Sequence, residues 1–497
     1  MANVTNALTQ LYHRSLTSYY RASEWWAEFF NLSRRLSLLM LLIGLVGAWF
    51  AAQAVMVETW GDWRILFVYS MFVLVPFVLF PIITLHPEWI VVVVTFAVAS
   101  LISPVFWDYL PGAEMGLSLP NVLVAYGLFL IAIRHMVGIS SSPRLWFSPS
   151  SWAVLSMLLL SVGAGLVYHT VVSGLSYRKE IAELQHTIMW LLYFLFIGVA
   201  TDSRMLRRLQ IGILAVAFVG SVPTILQALV GEQALFFLKL TQRDIRLERT
   251  EGLLRVLPPG ENLILVTFLI SCQMLSISSG LKRWGWAALT TVYGMAILMT
   301  LTRHSWFTAL FGLGLFWLFG STRTKVNTLL IGFIVVVLVV SAAAFVRPLR
   351  LHAENDFFAK ISRRFISTFH DDPTQHSLSR VTSTGQRTYE NKFVLSKLPE
   401  SPWFGYGWSV KQPVKIYHNP YLGTTTFVPV TYIHNAFWWI VGKGGIVGAA
   451  GLLILWITGI VRGYLLYRRC TDMYAKAWLL ALWVGFLGLI LASQFEP

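Results

Sequence analysis

Long apolar runs separated by polar connections dominate the chain, at 36–57, 64–84, 89–106, 120–137, 151–171, 181–200, 209–230, 261–278, 284–301, 304–320, 326–346, 436–461 and 475–494. Most come near the ~20 residues that carry an α-helix across a hydrocarbon core, and the pattern predicts an all-α polytopic integral membrane protein with about 12–14 transmembrane helices. The rhythm breaks before the first run and again between the runs ending at 346 and beginning at 436. Residues 19–35 mix Tyr19, Trp25, Trp26, Phe29 and Phe30 with Glu24, Glu28, Arg34 and Arg35, which suits a helix lying on the membrane surface. Residues 355–369 repeat the pattern, with Phe357, Phe358, Ile361, Phe365, Ile366 and Phe369 around Lys360, Arg363 and Arg364. Four segments follow: an amino-terminal interfacial stretch (1–35), a multi-span domain (36–346) with a basic loop at 231–260, a large loop (347–435) containing short amphipathic helices, and a carboxy-terminal helical segment (436–497).

Composition fits. With 56% hydrophobic and 12% charged residues, the chain is not a soluble domain. The net charge of +15 suggests basic cytoplasmic loops and anionic lipid partners, and no nucleic acid is expected. Arg34/Arg35, Arg134/Arg144, Arg204/Arg207/Arg208, Lys282/Arg283, Arg323/Lys325 and Arg462/Arg468/Arg469 fall in alternate connections, which the positive-inside rule assigns to the cytoplasm. The amino terminus is then inside, and this reading of the spans leaves Pro497 outside. The first apolar run follows a polar and aromatic stretch and is expected to stay as an anchor. Cys272 and Cys470 suggest neither a disulfide nor a metal site.

Two external connections break the charge rule. Residues 231–260 hold Arg243, Arg246, Arg249 and Arg255, and the large loop holds Arg347, Arg350, Arg363, Arg364, Arg380 and Arg387. Long loops translocate whatever their charge, which accounts for the second. In the first, Arg243, Arg246 and Arg249 are spaced to line one helix face, where guanidinium forks suit diphosphate oxygens. Asp244, Glu248 and Glu251 could instead neutralise them in a solvated ion-pair face. Arg303, at an external turn, could enter the same cavity or snorkel to headgroups. Further along, Pro402-Trp403-Phe404-Gly405-Tyr406-Gly407-Trp408 offers tight turns and flat faces for sugars, or an ordinary aromatic belt, and Pro399, Pro402, Pro413 and Pro420 argue against long regular elements.

Among the histidines, His434 stands where the long polar loop meets an apolar helix, with a titration range suited to taking a proton from a sugar hydroxyl. Asn435 can orient a neighbour or cap the helix. His418-Asn419 is a second such pair, followed by Pro420 instead of a glycine-bearing helix, and His370-Asp371-Asp372 reads as a polar turn, not a metal site. No charged residue is apparent deep within a span, which argues against a transporter. Arginines for a diphosphate and a histidine for a hydroxyl are what glycosyl transfer from a lipid diphosphate requires.

His434-Asn435, nine residues and then Gly445-x-x-Gly448 resembles the His-Asn-x9-Gly-x-x-Gly signature of bacterial O-antigen ligases, within the superfamily that includes O-antigen and exopolysaccharide polymerases. Arg249-x-x-Gly252 with Asn262 ahead of a span, and Arg387 followed by Pro402 to Gly407, resemble the family's order more weakly. The resemblance implies a glycosyltransferase of the bacterial inner membrane, working on the periplasmic face without a metal ion or cofactor. It would transfer an undecaprenyl-diphosphate-linked glycan to lipid A-core, with His434 as base and Arg249, Arg303, Arg255 and Arg387 on the diphosphate. Asn435, Gly445, Gly448 and Asn262 would support the site. A polymerase using the same donor is the alternative, and a lipid-linked glycan flippase a more distant one.

Overall fold

The computed structural model describes chiefly residues 148–156, 165–172, 191–200, 203–230, 260–300, 302–330, 383–407 and 435–494, four strands in the connections, and isolated residues elsewhere. The surface helices expected at 19–35 and 355–369, the runs at 36–57 and 64–84, and His434 lie outside the described residues.

The described chain is helical, with two short hairpins. In order come α1 (Pro149–Ser156), α2 (Gly165–Val171), α3 (Leu192–Ala200) and α4 (Ser203–Val230); β1 (Glu248–Thr250) and β2 (Leu253–Arg255); then α5 (Glu261–Ile277), α6 (Gly280–Met299) and α7 (Arg303–Phe319). After a helical run at 322–330 come α8 (Ser383–Lys397), a 3-10 turn (Leu398–Glu400), β3 (Val414–Asn419), β4 (Thr424–Pro429), α9 (Ala436–Arg469) and α10 (Met473–Ala492). Among the described residues, α4, α9 and α10 are long and apolar enough to cross a membrane, and α5 and α7 are shorter apolar helices. The protein is an all-α membrane protein.

The chain divides into two compact units, the first made of 1–94, 103–146 and 191–212, and the second of 95–102, 147–190 and 213–497. Within the first, Gly212 lies against the Val92 side chain, and Leu195 and Leu209 are buried. The second unit holds the main core, where Leu265, Leu269, Tyr293, Phe316, Ala481 and Val484 close around α5. Small residues let the helices approach, as membrane helices require in the absence of a strong hydrophobic drive between them. Gly312 on α7 accommodates Leu269 and Val484, and Gly463 on α9 accommodates Trp483. Two aromatic polar groups inside this core are bonded across helices: the Tyr293 hydroxyl donates to the Leu214 carbonyl at 2.8 Å and the Trp483 indole to the Ile460 carbonyl at 2.9 Å.

These contacts fix helix direction. Ser305 donates to Glu261, so α5 and α7 begin together. Gly312 facing Val484 and Gly488 facing Thr308 make α10 antiparallel to α7. Ala436 N donates to Ser493 O at 2.8 Å, so α9 begins where α10 ends. One end of the unit therefore carries Glu261, the start of α7, Asn435 and Gln494. The opposite end is basic. There Arg323 donates to the Ser278 carbonyl at 3.1 Å, Arg283 reaches Asn327 at 3.4 Å, and the Tyr467 hydroxyl donates to Phe319 O at 2.7 Å, near Arg468 and Arg469.

Several expectations are corrected. Arg204, Arg207 and Arg208 lie exposed on the first turns of α4, and Arg462, Arg468 and Arg469 on the last turns of α9, because these helices run past the apolar stretch. Arg249 is in an antiparallel hairpin and not on a helix face with Arg243 and Arg246, which fall outside the described residues. In the large loop, α8 is a helix that the polar composition concealed, and β3 and β4 fit between Pro413 and Pro420 and up to Pro429.

Candidate active site

α9 is organised by its first ten residues. Asn435 is its N-cap: the side-chain oxygen accepts from Trp438 N at 3.1 Å, while the amide nitrogen donates to Gln494 Oε1 at 3.1 Å. One asparagine thus starts α9 and ties it to the end of α10. By contrast, His418-Asn419 lies in β3, paired in register with Thr425 and Thr424.

Gly445 breaks the helix, with φ 64° and ψ −160°, a conformation open essentially to glycine. The break exposes backbone groups that the Pro402–Gly407 segment takes up. Ile446 N donates to Pro402 O at 2.9 Å, Val447 N to Trp403 O at 3.4 Å, and Tyr406 N to Gly442 O at 2.8 Å. A Cβ at Gly445 would fall on the Trp403 carbonyl, and one at Gly405 (φ 73°) on the Gly442 carbonyl. The aromatic stretch is therefore neither a bare sugar platform nor a membrane belt alone. It is a strap whose backbone completes that of a broken helix. Gly448, one turn on, is buried.

Two buried charges lie near Tyr406 of the strap. Lys443 is 1% exposed, with its ammonium 5.4 Å from the centre of the Tyr406 ring, and Glu390 on α8 is fully buried. This corrects the expectation that no span carries a deep charge. The Tyr406 ring also meets Phe393 of α8 edge-on at 5.6 Å. Burial pushes its phenol up, and the negative charge of Glu390 pushes it further the same way.

The remaining candidates are reached through backbone position. Arg303 is the first residue of α7, and two residues later Ser305 contacts Glu261, which is buried in the first turn of α5 beside exposed Asn262. Arg249 and Arg255 occupy neighbouring register pairs, Arg249 opposite Leu254 and Arg255 opposite Glu248, so their positions alternate between the two faces of the hairpin. Arg387 lies in the first turns of α8. The side chains of these four arginines are outside the described residues. Arg303, Asn262 and Asn435 share one end of the second unit; for the hairpin arginines only the strand register is described. Reading the sequence missed Lys443, Glu390, Glu261 and Gln494. The only hints were a lysine between glycines and a glutamate immediately before an apolar run.

The fold and this helix-end geometry define a helical membrane protein with a polar site at one end of its bundle. Residues 287–453 match the family model described as O-antigen ligase, a stretch containing Arg303, Arg387, His434, Asn435, Gly445 and Gly448. The match covers about a third of the chain; over that stretch it bears out the family resemblance and supports a membrane glycosyltransferase of the O-antigen ligase and polymerase type. No curated protein matches the chain.

Proposed function

We propose that the protein is an O-antigen ligase of the bacterial inner membrane, transferring an undecaprenyl-diphosphate-linked glycan to lipid A-core on the periplasmic face. The observation that carries this reading is the convergence at one bundle end of the Asn435 cap, the start of α7 at Arg303 and the start of α5 at Glu261 and Asn262. The opposite end bears Arg283, Arg323, Arg468 and Arg469, and the positive-inside rule supports a cytoplasmic position for it. The site end then faces the periplasm.

In the proposed reaction an acceptor sugar hydroxyl attacks the anomeric carbon of the donor. Its bond to the diphosphate oxygen breaks, and undecaprenyl diphosphate leaves with the electron pair. His434 takes the hydroxyl proton, its neutral imidazole being a base near physiological pH. Arginines hold the charge that grows on the leaving oxygen, in the manner of charge-assisted forks. Arg303 at the head of α7 is the best-supported of these. Between the hairpin arginines, Arg249 is favoured, because Arg255 sits opposite a carboxylate that can neutralise it.

The test is purified protein in lipid, given an undecaprenyl-diphosphate glycan and either lipid A-core or a second lipid-linked glycan, with divalent metal chelated. Lipid A-core that gains glycan supports the ligase. A ladder of longer lipid-linked glycan would make it a polymerase, and carriage across the bilayer without transfer would make it a flippase.

A further inference from the structure

The geometry points to Lys443 and Glu390 as an oppositely charged latch beside the Tyr406 ring that fixes α8 and its Arg387 in register against the start of α9. They are positioning residues, with no contact to the reacting atoms. Lys443 and Glu390 are buried on two different helices that pack together, and the Tyr406 ring touches both helices, meeting Phe393 on one side and Lys443 and Gly442 on the other. A lysine and a glutamate buried this deeply persist where each compensates the other's charge. Tyr406 is itself anchored, its N–H bonded to Gly442 O, so the phenol ring sits where the strap meets both α8 and α9.

The consequence concerns the donor. Arg387 is three residues ahead of Glu390, one turn along the same helix by spacing. Lys443 lies eight residues into α9 from its Asn435 cap, about 12 Å down the helix. The latch thus sets the distance between the proposed diphosphate arginine and the proposed base without touching either. This inference rests on the donor-site reading of Arg387 given above.

The experiment uses the full chain in lipid with the undecaprenyl-diphosphate glycan donor, measuring donor KM and kcat separately. Lys443→Met and Glu390→Gln are each expected to raise donor KM about tenfold, with a smaller change in kcat. The exchange Lys443→Glu with Glu390→Lys should recover most of that loss, and Lys443→Arg should stay within about threefold of the parent protein. Adding Lys443→Met to Arg387→Ala should change KM less than about twofold, since both act through one arginine. If Lys443→Met does not accumulate, Glu390→Gln takes its place in the same comparison. Multiplying losses from Arg387→Ala and the latch variant, or no recovery in the exchange, would overturn the latch alone. A silent Arg387→Ala would remove that arginine from the donor site, and the positioning claim with it.

Discussion

Replacing Gly445 by alanine tests the strapped helix most severely. The backbone there adopts φ 64° and ψ −160°, which for a residue with a Cβ costs about 1–3 kcal/mol. The new Cβ also lands on the Trp403 carbonyl and 2.6 Å from Phe404 N, backbone atoms that cannot rotate aside. Relief requires the strap to withdraw, giving up the bonds from Ile446 N and Val447 N, each worth about 0.5–1.5 kcal/mol. Together these make about 2–6 kcal/mol of local destabilisation. Because the strap covers the segment of α9 that follows His434, glycan transfer should fall by at least about a hundredfold. The assay is thermal unfolding in detergent beside transfer in lipid, with Gly314→Ala as control: a Cβ there meets nothing within 4 Å, and α7 should tolerate it or gain slightly. A Gly445→Ala protein that melts and turns over like Gly314→Ala would refute the strap.

Other variants probe separate parts of the site. Asn435→Ala removes both the cap and the Gln494 contact and should cost about 1 kcal/mol of stability and much of the transfer rate; Asn435→Asp should keep the cap and recover stability in a thermal-shift comparison. Ser305→Ala leaves buried Glu261 without that hydroxyl and should destabilise the bundle by about 1–3 kcal/mol, read by unfolding in detergent. Arg249→Ala should weaken donor binding about tenfold and more than Arg255→Ala, because only the latter position faces Glu248; equal effects would place both on the ligand.

The residues that were legible in the sequence are those whose meaning is local. Apolar runs announced α4, α5, α7, α9 and α10, and His434-Asn435 with spaced glycines announced where α9 begins, since a cap and a helix break are written within a few residues. Gly445 could be marked as significant, but its partner could not: the Trp403 and Pro402 carbonyls it admits lie forty residues earlier in sequence, and backbone carries no compositional signal. Arg249 was misread because a spacing of three fits a helix and is silent about a short antiparallel hairpin. Lys443 and Glu390 were invisible for the reason that makes them interesting, since buried charges declare themselves only once their surroundings are known.

The most direct test of the central claim compares His434→Ala with His418→Ala in reconstituted transfer from an undecaprenyl-diphosphate glycan to lipid A-core, with divalent metal chelated. His434 precedes the Asn435 cap at the end shared with Arg303, whereas His418 lies within β3 of the loop hairpin. The account predicts that His434→Ala folds normally and abolishes transfer while His418→Ala retains most of it. Full transfer by His434→Ala, or equal loss from both variants with normal folding, would contradict it.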